Sequence, residues 1–294
     1  MSGPAAGGPG PADPELHVTS SSGVVVALHD LGGDPNGSPI LFCHATGFCG
    51  PVWRPVAREL AEHRCWALDF RCHGGSTRPI DDDLSWSGTA DDVLAVIDRL
   101  GLVRPLGVGH SMGGAALLLA EQRRPGTFAA LWCFEPIVIP AEMAEPDGGN
   151  LLAEGAARRR EVFDSFAAAR ANFASKPPMQ SFAPDALDGY VEGGFEQLAD
   201  GTVRLRCRAA DESRFYRLGA EAGAGEHLDE VGCPVTVVRG RVEPGPAQFA
   251  PAVADAVRDG HLVEDPSVGH FGPMEDPVGT ARSIRGAAAV TPRQ

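Results

Sequence analysis

The chain has 294 residues, of which 43% are hydrophobic and 22% charged, with a formal net charge of −14. That composition supplies a sizeable globular core, and its negative field argues against nucleic acid or anionic membranes as partners. No apolar run approaches the ~18 residues of a membrane-spanning helix. Met1–Pro14 has neither the basic start nor the apolar stretch of a secretory leader, and the seven scattered cysteines form neither a disulfide framework nor a zinc-spaced cluster. The expectation is a cytoplasmic protein without bound metal.

Met1–Pro14, rich in Gly and Pro, reads as a flexible tail. Beyond it, short β-branched runs alternate with helical patterns. Strands are predicted at Val24–Leu28, Ile40–Cys43, Cys65–Phe70, Leu106–Gly109 and Ala129–Glu135. Between them, apolar residues recur at helical spacing over Pro51–Glu62, Asp91–Leu100 and Gly113–Arg123. The alternation resumes with strands at Pro234–Val238 and His261–Glu264 and helices at Ala247–Val257 and Val278–Ala289. Such a pattern builds right-handed βαβ units and a mostly parallel sheet with helices on both faces. Residues 140–230 differ: they are mainly helical, too long for a loop, and carry one strand-like stretch, Thr202–Arg208. The organisation read from this is a core of residues 15–139 and 231–294 with an inserted helical cap at 140–230.

One segment carries the strongest chemical signal. Gly109-His110-Ser111-Met112-Gly113-Gly114 joins a predicted strand to a predicted helix and matches the G-x-S-x-G nucleophile elbow. The tight turn lifts the serine hydroxyl above the sheet and aims the free N–H groups of a helix N-terminus at developing negative charge.

Three further motifs stand in the order expected around such an elbow. These are His44-Ala45-Thr46-Gly47-Phe48, Asp69-Phe70-Arg71-Cys72-His73-Gly74-Gly75-Ser76, and Val268-Gly269-His270-Phe271. With the elbow, they resemble the α/β-hydrolase family, over nearly all of the chain from Val24 to Ala289 outside the cap. Two positions depart from the family pattern, Ala45 and Cys72, each standing where a glycine is usual.

The resemblance implies an α/β-hydrolase fold and a serine hydrolase that needs no cofactor. Ser111 would be the nucleophile and His270 the general base, with backbone N–H groups of Thr46 and Met112 as the oxyanion hole. The acid is expected to be Glu243, with Glu135 as the alternative. Glu243 stands three residues beyond Gly240, where the family usually places an acid after the strand that follows the cap. Glu135 closes the strand before the cap, where some members carry theirs. His44, Phe48, His110 and Phe271 are candidates for lining the substrate pocket, although His44 and His73 also suit a loop-bracing role.

A small or medium, largely apolar ester, lactone or thioester is the expected substrate, held by a monomer or homodimer. Carbon–carbon bond hydrolysis or cofactor-free perhydrolysis are alternatives on the same triad, and a non-catalytic small-molecule receptor is an alternative of another class. Arg158-Arg159-Arg160 reads as a solvated face. Arg204, Arg206 and Arg208 alternate at strand period and could clamp a carboxylate.

Overall fold

The computed structural model describes residues 16–139, 150–219, 223–243 and 245–290. The sequence-predicted tail and the first ten residues of the predicted cap lie outside them.

Eleven strands are formed among the described residues: β1 (Leu16–Thr19), β2 (Val25–Gly33), β3 (Pro39–Cys43), β4 (Arg64–Leu68), β5 (Leu106–His110), β6 (Ala130–Phe134), β7 (Val162–Phe163), β8 (Phe195–Gln197), β9 (Val203–Leu205), β10 (Val235–Arg239) and β11 (Gly260–Glu264). Eight of them make one sheet in the order β1-β2-β4-β3-β5-β6-β10-β11. From β4 to β11 neighbouring strands run parallel, and β1 and β2 add an antiparallel edge. The central strands are largely apolar and every residue of β5 and β6, His110 at the end of β5 included, is buried, as a strand covered on both faces requires. β1 escapes the sequence reading because Leu16–Thr19 is only four residues long, whereas β2 forms where a strand is predicted at Val24–Leu28.

Helices α1 (Arg54–Arg58), α2 (Trp86–Leu100) and α3 (Met112–Arg123) connect the first strands. α2 begins five residues earlier than predicted, and Gly101 ends it in the left-handed conformation. Two apolar clusters, one on each side of the sheet, form the core, the first around Leu117, Phe128 and Trp86 and the second around Trp53, Phe42 and Trp132.

Between β6 and β10 lie α4 (Leu151–Ala157), α5 (Phe166–Ala174), α6 (Pro184–Gly194) and α7 (Ala209–Leu218), together with a three-stranded antiparallel sheet in the order β7-β9-β8. The strand-like Thr202–Arg208 stretch thus condenses to β9, with two partners that sequence alone did not reveal. This segment rests on short helices of the core: Ala183 N–H donates to Met274 C=O at 2.8 Å, and Arg54 pairs with Glu192 at 2.5 Å. Phe163 and Phe166 are buried within it. Helices α8 (Ala250–Ala256), α9 (Gly272–Glu275) and α10 (Pro277–Val290) complete the chain.

Candidate active site

The sharpest local feature is the turn between β5 and α3. Ser111 sits there at φ 56° and ψ −116°, a left-handed setting that a non-glycine residue occupies only at a cost of about 1–3 kcal/mol. Its neighbours explain how the turn closes. A Cβ on Gly109 would lie 2.6 Å from the Gly114 nitrogen, and one on Gly113 would lie 2.2 Å from the Cys43 carbonyl oxygen. Only glycine lets the helix start this close to the two strands. The turn is then locked: Ser111 N–H donates to Phe134 C=O at 3.0 Å, and Ser111 C=O accepts from Gly114, Ala115 and Ile137.

The histidine loop arrives from the far end of the chain. His110 Nε2 donates to the His270 carbonyl at 2.8 Å, and the two imidazoles lie 4.9 Å apart. Because the carbonyl can only accept, His110 carries its proton on Nε2. Full burial and the nearby His270 push its pKa well below the ordinary histidine value. His270 therefore lies against the residue that precedes Ser111.

Of the two carboxylate candidates, Glu135 meets His270. Its Oε2 is 2.6 Å from His270 Nδ1, its Oε1 accepts from Gly240 N–H at 2.8 Å, and its side chain is 1% exposed. A carboxylate only accepts, so the proton between them belongs to Nδ1 and leaves the His270 Nε2 lone pair free. Glu135 itself is held at φ 42°, its N–H donating to Val238 C=O. Glu243 is placed differently from its sequence expectation. Its side chain is 64% exposed and pairs with Arg241 at 3.3 Å. The physical reason lies at Gly240: its N–H is capped by Glu135, and the chain beyond turns outward to follow Arg241, whose N–H bonds Val268 C=O.

Thr46 and Met112 face one another, the threonine hydroxyl donating to the methionine sulfur at 3.4 Å. Met112 opens α3, so its N–H has no intrahelical acceptor. The Thr46 N–H has none among the described residues. Two backbone donors are thus available beside Ser111.

Buried histidines brace the loop that carries Thr46. His44 Nδ1 donates to Ala45 C=O at 2.7 Å and its Nε2 accepts from Phe70 N–H at 3.0 Å. His73 Nδ1 donates to Arg71 C=O at 2.9 Å and its Nε2 accepts from Gly47 N–H, also at 2.9 Å. Both rings are committed to backbone groups, which corrects the expectation that His44 lines the pocket; His110 is likewise turned inward. Burial lowers the pKa of His44 to about 3 and that of His73 to about 4. Asp69 ties the same loops, accepting from Gly50 N–H at 2.6 Å and Gly75 N–H at 2.8 Å. Burial opposes its charge, yet His29 and these donors hold its pKa near 2. Cys72, in place of the usual glycine, keeps the turn at φ 64°.

Phe48 and Phe271, the two aromatic pocket candidates, do come together, with ring centres 5.7 Å apart. Phe182 and Tyr190 from the inserted segment close on them, at 6.1 and 5.3 Å from Phe48. The arginine expectations invert. Arg204 and Arg208 pair with Glu196 and Glu161, and Arg206 bonds the Phe195 carbonyl, so they form no carboxylate clamp. Arg159, read as solvated, instead turns inward against Glu212 and Tyr190. A triplet of identical residues offers no sequence signal of which member is buried. Cys43 and Cys49 beside the loop are buried, which pushes their thiols up, away from reactivity. Among the described residues, no group of three or more His, Cys, Asp or Glu is arranged to hold a metal ion.

A strained serine at a strand–helix turn, with an imidazole and a buried carboxylate gathered at the same sheet edge, defines the hydrolase class of α/β folds. The sequence model described as the alpha/beta hydrolase family matches residues 40–283, and the chain belongs to that family. The chain is 32% identical over 186 residues to the dihydrolipoyllysine-residue acetyltransferase component of an acetoin cleaving system from Pseudomonas putida, covering 60% of this chain and 43% of that protein. It is 30% identical over 139 residues to the bifunctional esterase/perhydrolase DCH of Acinetobacter calcoaceticus, covering 45% of this chain and 49% of that protein. The chain thus spans less than half the length of these curated relatives. Among solved structures, E-2-(acetamidomethylene)succinate hydrolase superposes with a TM-score of 0.80 at 22% identity, covering 94% of this chain and 98% of that one, a likeness of fold.

Proposed function

We propose that the protein is a serine hydrolase that cleaves a small or medium ester, lactone or thioester through an acyl-enzyme on Ser111. His270 Nε2 takes the hydroxyl proton as Ser111 Oγ attacks the carbonyl carbon, and Glu135 stabilises the resulting imidazolium. The Thr46 and Met112 N–H groups receive the oxyanion, and a missing donor of this kind typically costs about 2.7–4 kcal/mol. His270 then protonates the leaving group. Water, deprotonated by the same nitrogen, releases the acid.

The observation that carries this reading is the 2.6 Å Glu135–His270 contact: it sets the tautomer a base needs, at a histidine packed on the nucleophile turn. The aromatic wall of Phe48, Phe182 and Phe271 favours a largely apolar substrate body. Resemblance to an esterase/perhydrolase supports a second use of the same acyl-enzyme, in which hydrogen peroxide replaces water and a peracid leaves. A fluorophosphonate probe tests the core of the proposal. Ser111 should label rapidly and Ser111→Ala should not label at all; an inert Ser111 in folded protein would leave only a binding role.

A further inference from the structure

Arg159 reaches the loop that carries Thr46, its NH1 lying 3.3 Å from where a Cβ on Gly47 would stand. It follows α4, and its NH1 donates to Glu212 Oε2 and its NH2 to the Tyr190 hydroxyl, each at 2.5 Å. Glu212 belongs to α7 and Tyr190 to α6, so the guanidinium joins three elements of the inserted segment. This group rests on Gly47. A Cβ at that position would lie 2.5 Å from Glu212 Oε1 and 3.3 Å from Arg159 NH1. Gly47 is one residue beyond the Thr46 oxyanion donor, and the aromatic wall formed by Phe48 adjoins Tyr190.

A guanidinium has five N–H donors, and protein acceptors among the described residues engage two of Arg159's. The arginine side chain is 20% exposed while Glu212 is 5% and Tyr190 0% exposed, so the accessible member of this cluster is the arginine. Leaving such donors desolvated against an alkyl group is unfavourable. The charge balance decides what they accept. Glu212 already neutralises Arg159, so a second carboxylate would give a buried site net negative charge, whereas a neutral oxygen adds none.

We propose that Arg159, held in place by Tyr190 and Glu212, forms an acyl-side subsite for an uncharged hydrogen-bond acceptor, a hydroxyl, keto or amide oxygen a few bonds from the scissile carbonyl. The inference rests on the serine hydrolase reading and names its substrate class: apolar in bulk, with one neutral polar point.

Three p-nitrophenyl esters of similar length test it on the full-length protein: butanoate, 3-hydroxybutanoate and monosuccinate. The 3-hydroxybutanoate should exceed butanoate in kcat/KM by about ten- to hundred-fold, the range of a hydrogen bond to a charged group, with monosuccinate the slowest. Arg159→Met should abolish the hydroxyl preference, bringing the 3-hydroxybutanoate to butanoate ratio of kcat/KM to within about two-fold of one at whatever absolute rate the variant retains. Glu212→Gln, which removes the balancing charge, should raise monosuccinate at least ten-fold relative to 3-hydroxybutanoate. The proposal is overturned if butanoate or monosuccinate is the best wild-type substrate, if none is hydrolysed, if Arg159→Met slows all three equally, or if Glu212→Gln leaves their order unchanged. Fluorophosphonate labelling of Ser111 in the same preparations separates the two levels. Labelling with the wrong ester order removes the subsite alone, and no labelling removes the hydrolase reading with it.

Discussion

Replacing Glu135 by glutamine probes the site at its most constrained point. Gly240 N–H points at Oε1 and demands an oxygen there. A glutamine must therefore keep its carbonyl on Gly240 and turn its NH2 toward His270 Nδ1. That nitrogen then becomes an acceptor, the proton moves to Nε2, and the imidazole can no longer receive the serine proton. The analogous acid-to-amide change in a serine protease leaves geometry intact and lowers kcat by about 10⁴. A loss of about 10³–10⁴, or roughly 4–5.5 kcal/mol of barrier, is expected here. Glu243→Gln serves as the control. Its exposed side chain bonds Arg241 alone among the described residues, and a change within about two-fold is expected, as for a solvated surface pair. The assay is turnover of an activated ester by both variants at pH 8, with near-ultraviolet circular dichroism to verify packing. A Glu135→Gln enzyme retaining more than a tenth of wild-type kcat, or a Glu243→Gln enzyme equally impaired, refutes the assignment.

Acid should unfold this protein early. His44, His73 and His110 are buried neutral, with pKa values below the unfolded value of about 6.5, so the unfolded chain binds protons first. Their stabilising contribution is complete above that pH and falls below it, by up to about 4 kcal/mol per pH unit for the three together. Asp69 adds a further loss only as pH drops from about 4 toward 2. The urea midpoint should therefore fall steeply between pH 7 and 5, and a flat profile there contradicts the buried neutral imidazoles. At Cys72, the left-handed φ of 64° strains a side chain that glycine would not carry. Relief of about 1–2 kcal/mol offsets lost burial and the added freedom of the unfolded chain. Cys72→Gly should remain within about 1 kcal/mol of wild type, while Cys72→Val, β-branched, should lose more than about 2. Destabilisation of Cys72→Gly by more than about 2 kcal/mol in urea unfolding would show that the turn is not strained.

The elements that sequence reading placed well are those whose signal is local. β5, the Ser111 turn and α3 are contiguous, so a strand pattern, two close-packing glycines and a helical pattern specify them together. The His270 loop is nearly as legible, since it directly follows the last strand of a repeating α/β alternation. Elements without such signals were missed. β1 is four residues on a sheet edge, and β7 and β8 are two or three residues whose existence depends on pairing with β9.

The order of the central strands and helices, the turn that carries Ser111 and the arrival of a histidine at the same sheet edge were thus written in the chain itself, because each follows from short-range periodicity and turn chemistry. Which carboxylate orients that histidine was not. Glu135 and Glu243 follow adjacent strands, and only the capture of the Gly240 N–H by one turns the other out to solvent. The same holds for Arg159. Three successive arginines are alike in sequence, and the packing of α6 and α7 against the Gly47 turn determines which of them is drawn inside, because burying a charge there requires the partners that only the folded chain assembles.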